Sequence, residues 1–172
     1  MLLKKHTVVY MAAFLLLVSA LGYGQQAKVM TYSTKNPEAL KFFQEGLDLF
    51  DNFRIAEAEP LFEKAVKADS GFALAYDYWA ATASSGEEGW KRMNKAMQLA
   101  PSASEPERVA IMVDKAMMEN KMDVARQNFV RLIELVPDDK RAHYYYAGFL
   151  NSQRDDVDAE KEYRKVMTMA PD

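Results

Sequence analysis

The sequence predicts an all-α protein, a solenoid built from about four antiparallel helix pairs. Three observations lead there. One spacing of small and apolar residues recurs four times along the chain. Each recurrence has an upstream partner segment with a spacing of its own. The composition, 49% hydrophobic with only seven Gly and six Pro in 172 residues, supports a packed helical core.

Taken in order, residues 1–24 read as a secretory signal peptide. Lys4 and Lys5 provide a positive start, an apolar run extends from Val8 to Leu21, and Ala20, Gly22 and Gly24 supply the small residues before Gln25 and Gln26. The run is about 14 residues long, short of the roughly 20 a membrane-spanning helix needs. Cleavage after Gly24 is expected, with Ala20 as the other candidate; retention as an N-terminal membrane anchor is the alternative. Removing Lys4 and Lys5 leaves 20 basic against 25 acidic residues, net −5. No basic stripe of the kind that nucleic acid requires is present. Residues 25–36 show no strong pattern and are expected to form a mobile lead-in.

The helical domain is expected over 37–172, with units at about 37–72, 73–103, 104–139 and 140–172. The second helix of each unit carries the shared steps of four, three and five residues: Ala58, Phe62, Ala65, Ser70; Gly89, Met93, Ala96, Pro101; Ala125, Phe129, Leu132, Pro137; Ala159, Tyr163, Val166, Pro171. Steps of four and three keep side chains on one helix face, and the Pro ends the helix because it lacks an N–H and clashes with the preceding turn. The first helices carry Phe42, Gly46, Leu49; Tyr76, Ala80, Ala83; Val109, Val113, Ala116; His143, Ala147, Leu150. Asn36-Pro37-Glu38 marks one helix start, and Ser104-Glu105-Pro106-Glu107 reads as a capping box at another.

These patterns resemble the tetratricopeptide repeat family, whose units follow a W-x₂-L-G-x₂-Y…A-x₃-F…P type of pattern, over about residues 37–172. The resemblance implies a right-handed solenoid with the first helices lining a concave groove. Small residues such as Gly46, Ala80 and Ala147 let paired helices approach closely, while Phe62, Phe129 and Tyr163 fill the space between pairs. Five departures stand out. Ser70 replaces the usual Pro, Gly89 replaces Ala, and unit two is three residues short between its helices, which predicts a local change of curvature. Pro60 is expected near the first turn of its helix. The fourth unit has no polar capping helix after it, so its apolar face is expected to meet another chain or a continuation of this one.

Catalytic chemistry is not expected. Cys is absent, which removes thiolate zinc sites and thiol nucleophiles. His143 is the one His beyond the signal segment and occupies a packing position. Glu87-Glu88, Asp138-Asp139 and Asp155-Asp156 fall at turns or helix starts, where negative charge caps helices. None has the ligand alternation of a calcium loop, and the eleven Met read as core filler. No cofactor, metal or small-molecule substrate is expected, and the protein is not read as an enzyme.

Projecting the family's groove onto this chain gives a candidate protein-binding surface: Phe43, Leu47, Asp77, Asp114, Met117, Arg141, Tyr144 and Asn151. Asp51, Ala81, Ser84, Met118 and Gly148 lie beside them. The mixture of aromatic, apolar and acidic side chains suits an extended peptide or amphipathic helix with some positive charge. The resulting expectation is a non-enzymatic scaffold or adaptor in the cell envelope, periplasmic or secreted, holding a protein segment in a concave groove. The alternative is a self-assembly module, or the first part of a longer repeat protein, acting through the uncapped last unit.

Overall fold

The structure, a computed structural model, describes residues 27–169. The expected signal peptide over 1–24 and the helix-stop position Pro171 lie outside the described residues. Among the described residues there are eight α-helices and no strands: α1 Pro37–Asp51, α2 Ile55–Ala68, α3 Ala73–Ala81, α4 Gly86–Leu99, α5 Glu105–Met118, α6 Met122–Leu135, α7 Lys140–Ser152 and α8 Asp156–Thr168. A 3₁₀ turn, Ala100–Ser102, joins α4 to α5. Consecutive helices pack as pairs, α1 with α2 through α7 with α8, and the pairs stack on one another.

The recurring positions form the core. Ala58, Phe62, Ala65, Met93, Ala96, Ala125, Phe129, Leu132 and Ala159 are all buried. Gly46 has a steric reason to be glycine: a Cβ there would lie 2.7 Å from Cε1 of Phe62. Gly89 has none, since a Cβ would meet its neighbours at 3.5 Å or more. Three of the four intra-pair turns share one geometry. Phe53, Asn120 and Arg154 adopt φ of 58°, 58° and 60°, and the amide after each donates five residues back, Arg54 to Leu49, Lys121 to Ala116 and Asp155 to Leu150. This is the Schellman closure, which satisfies carbonyls left open at a helix C-terminus. Unit two is the exception, because its first helix is only nine residues long and ends into Ser84–Ser85, where Ser85 caps α4.

The expected helix starts form as hydrogen-bonded caps. The side chain of Asn36 accepts from the amides of Glu38 and Ala39, and Ser104 with Glu107 makes a reciprocal capping box. Where Ser70 replaces Pro, Asp69 supplies the exit instead: its carboxylate accepts from the Gly71 amide at 2.9 Å. Pro60 is a correction. It sits at the sixth residue of α2, past the first turn. The loss of its N–H leaves the carbonyl of Ala56 without a helical donor, and both residues face solvent, where water replaces the bond.

The lead-in is also corrected. Residues 28–36, expected to be mobile, run extended along the N-terminal ends of the first helices and are held at every step. Lys28 exchanges hydrogen bonds with Asp138, its amide to the carboxylate at 2.8 Å and its carbonyl accepting from the Asp138 amide. The Met30 amide donates to Asp139 at 2.8 Å, and the Ser33 amide to Glu107 at 2.9 Å. Thr34 donates to Asp69, and Asn36 to the Ala68 carbonyl. Met30, Tyr32, Thr34 and Asn36 face inward while the residues between them are exposed, the two-residue alternation of an extended chain.

Candidate functional site

The first helices of all four units enclose a cavity of about 400 Å³. Its walls are mostly apolar and aromatic: Phe43 and Phe50 from α1, Leu74 and Tyr78 from α3, Val113 from α5, Phe149 from α7. The inward side chains of the strap, Met30 and Tyr32, close the end formed by the helix N-termini. Tyr32 sits edge-on to Phe43 with ring centroids 5.1 Å apart, and also contacts Phe72. At the opposite end the lining residues Ala81, Met117, Gly148 and Ser152 are exposed, so the mouth lies at the C-terminal ends of α3, α5 and α7.

A bridge between the first and last units narrows the cavity further. Arg141 of α7 reaches Asp51 at the end of α1, at 2.7 Å and 2.8 Å, with Asp48 at 3.9 Å. The hydroxyl of Tyr145, one turn on, donates to the other carboxylate oxygen of Asp51. Burial pushes the Tyr145 phenol up, and the Asp51 carboxylate it faces pushes it further. Arg141 loses hydration there, but its pairing with Asp51 outweighs that loss and holds it above its ordinary range. Residues 90 apart in sequence are thereby joined across what an open solenoid would leave as a groove.

Two acids share the interior. Asp77, on α3, is 1% exposed, and neither of its carboxyl oxygens meets a hydrogen-bond donor. Its influential neighbour is another acid, Asp114 on α5, which lines the same cavity. Burial raises Asp77 well above its ordinary 3.8, and the charge of Asp114 and a hydrogen bond to it raise it further. Burial pushes Asp114 up to about 6, against a lowering hydrogen bond from Asp77. A carboxylate cannot donate, so the two can hydrogen-bond only if one keeps its proton. The two acids therefore titrate together, and burial favours the protonated forms of the pair.

Of the eight residues picked from the sequence, six line this cavity: Phe43, Leu47, Asp77, Asp114, Met117 and Arg141. Their character differs from an open groove. Phe43 and Leu47 are fully buried, because Tyr32 and Tyr78 pack onto Phe43. Arg141 is committed to Asp51 rather than to solvent. Met117 remains at the rim, 39% exposed. Tyr144 and Asn151 lie outside the cavity; Tyr144 is exposed, and Asn151 borders a shallow depression on the last pair with Ala159, Tyr163 and Met167. The sequence reading did not single out Met30, Tyr32, Tyr78 and Tyr145. The alternation of residues 30, 32 and 34 was the available signal for the strap.

His143 is 2% exposed, with Nδ1 facing Glu162 and Nε2 facing the Pro137 carbonyl at 3.0 Å. Both neighbours are acceptors, so the ring ties α7 to α8 and to the preceding turn. Among the described residues no cluster of three or more His or acidic side chains could hold a metal ion.

Stacked helix pairs around a concave lining define an all-α helical-repeat architecture. Residues 114–172 match the tetratricopeptide repeat family, and the same paired spacing of small and apolar residues runs from residue 37. No curated protein matches the chain. Solved structures similar to it include MamA 41-end from Desulfovibrio magneticus RS-1, with 15% identity, TM-score 0.41 and coverage of 78% of this chain and 76% of that one. YrrB, described as a TPR protein with an unusual peptide-binding site, has 18% identity, TM-score 0.39 and coverage of 77% and 69%. Pseudomonas aeruginosa pilF has 17% identity, TM-score 0.34 and coverage of 78% of each chain.

Proposed function

We propose that the protein is a non-enzymatic scaffold of the cell envelope, exported by residues 1–24, that holds a segment of a partner protein over the mouth of its concave face. Tetratricopeptide repeats are protein–protein interaction modules, and that class is the starting point. The observation that carries the placement is the rim: the strap and the Asp51–Arg141 bridge close the rest of the concave side, leaving Ala81, Met117, Gly148 and Ser152 exposed around one opening. Exposed Tyr144 lies on the same helix as the rim residues Gly148 and Ser152. Aromatic and Met side chains in such positions contribute strongly to interfaces. The partner segment would be amphipathic, with apolar side chains at Met117 and positive charge toward the negative ends of three helices.

The test is affinity capture from envelope extract with the parent protein beside a Met117→Ala/Tyr144→Ala/Asn151→Ala variant of equal melting temperature. A protein recovered by the parent and lost by the variant supports the rim. Equal recovery removes the concave side from consideration. A second reading, self-assembly through the last unit, is favoured by α8, where Val157 is 69% and Met167 80% exposed. Light scattering decides it: a monomer across the micromolar range, unchanged by Met167→Asp, ends that reading.

A further inference from the structure

The interior of the cavity holds negative charge that the protein leaves unanswered. Asp77 is almost wholly buried with both oxygens unpartnered, and Asp114 shares the cavity with it. A buried carboxyl without a donor opposes folding, so such a group persists where it serves a ligand. Arg141 is the one cation among the described residues lining the cavity, and it is taken up by Asp51. Strap residues Met30 and Tyr32 supply apolar contact on the closed side. The volume, about 400 Å³, falls within the range of small-molecule sites. Helices α3, α5 and α7 point their C-terminal ends at the mouth, and their dipoles favour an entering cation.

We propose that this cavity is a binding site for a small organic amine, whose ammonium group sits between Asp77 and Asp114 and whose apolar body lies against Phe50, Leu74 and Tyr78. An ammonium supplies the donors that Asp77 lacks and lets both carboxyls ionise at once. Aromatic walls suit an organic cation, through contact with the ring faces. An inorganic divalent ion fits poorly, since it calls for six or more oxygen ligands and the two carboxylates stand among apolar side chains. A lysine on a protein segment carries the same group, but the closed strap end and the Asp51–Arg141 bridge leave only the mouth for the chain bearing it. The inference is independent of the scaffold reading, because its residues are interior while Tyr144 and Asn151 lie outside the cavity.

An ammonium binds the ionised acids, so binding releases protons from the pair, and affinity rises as the pH rises through the range where Asp114 titrates, about 6, and on through the higher range of Asp77. The three phenols and Arg141 on the cavity do not compete in that range. Burial pushes the phenols of Tyr32, Tyr78 and Tyr145 up, Arg141 stays charged, and Asp139 accepts from the Met30 and Ala142 amides.

The test is calorimetric titration of the full protein with phenethylamine, phenethyl alcohol and phenylacetate, which share one apolar body and differ in charge. The amine is expected to bind about tenfold or more tighter than the alcohol, the contribution of one charge-assisted contact, with phenylacetate weakest. Asp77→Asn and Asp114→Asn, each checked for cooperative melting, are expected to remove that preference while leaving alcohol binding in place. Binding in buffers of different ionisation enthalpy is expected to show proton release. A short lysine-containing peptide is the comparison for the other source of an ammonium group. Equal binding of amine and alcohol overturns the proposal, as does retention of the preference in both variants, absence of binding by all three probes, or binding of the peptide alone. Tyr144→Ala/Asn151→Ala leaves amine binding unchanged whatever its effect on partner capture, so the two readings fail separately.

Discussion

Replacing Asp77 by asparagine is expected to stabilise the fold at neutral pH, and the size of the effect follows from the acid pair. In the folded protein Asp114 titrates at about 6 against an ordinary 3.8, and Asp77 is raised as well. A raised acid is protonated in the folded state where the unfolded chain has already ionised. Stability from these groups is therefore greatest below the unfolded pKa and is lost as pH climbs through the folded one. For Asp114 alone the interval between 3.8 and about 6 corresponds to about 3 kcal/mol, lost between roughly pH 4 and pH 6. With asparagine at position 77 the side-chain amide donates to Asp114 without a shared proton. Its remaining unsatisfied group costs about 1–2 kcal/mol against the roughly 3 kcal/mol scale of one such shift, leaving a net gain of about 1–2 kcal/mol near pH 7 from removing the raised ionisation of Asp77, while burial still raises Asp114. Urea unfolding at a series of pH values, parent against variant, measures this. The acids held below their ordinary range by nearby cations, such as Glu63 and Asp158, titrate at lower pH and cancel in the difference. A variant no more stable than the parent near pH 7, or a parent that gains stability from pH 4 to pH 6 relative to the variant, would refute the reasoning.

Four further predictions come from the packing. Gly46→Ala drives a Cβ to 2.7 Å from the Phe62 ring, which Phe43, Phe50 and Tyr78 hold in place, and should destabilise by about 1–3 kcal/mol; Gly89→Ala meets only ordinary contacts and should stabilise by about 0.5–1 kcal/mol, both read from denaturant midpoints. Glu107→Ala removes the acceptor of the Ser33 amide and of Ser104, so amide exchange at residues 28–34 should quicken and stability fall by about 2 kcal/mol; unaltered exchange there would show the strap is held by other means. Phe53→Gly relieves a left-handed conformation at a side chain 80% exposed and should raise stability by about 1 kcal/mol in thermal unfolding.

The helix pairs were legible because their determinants are local. Steps of four and three place Ala58, Phe62 and Ala65 on one face, and the same steps place Ala125, Phe129 and Leu132; all six are buried. Caps were legible for the same reason, since Ser104 and Glu107 act over three residues. Tyr163 and Val166 of the fourth unit repeat the pattern yet stay half-buried, for no described helix follows to cover them. The closure of the concave side was not legible. Asp51 meets Arg141 across 90 residues, and Lys28 meets Asp138 across 110. Such contacts depend on superhelical curvature summed over several units, which no single unit's spacing reports. Asp77 and Asp114 read as groove residues from their positions in the first helices, but the burial of Asp77 beside Asp114 depends on how α3 and α5 stack.

The strap and the bridge change what a repeat groove can do. An open groove offers hydrated side chains to a long segment, and its acids would keep ordinary ionisation because water reaches them. Here the strap's Tyr32 covers Phe43, and Arg141 with Tyr145 saturates Asp51. Asp77 is buried and faces Asp114 among mostly apolar cavity walls, so burial raises both acids. The bridge places its own charges outside that setting: Arg141 pairs with Asp51 and Asp48 at the end of α1, and is spent there. Were Arg141 free to turn inward, it would neutralise the acid pair and end any preference for a cationic guest.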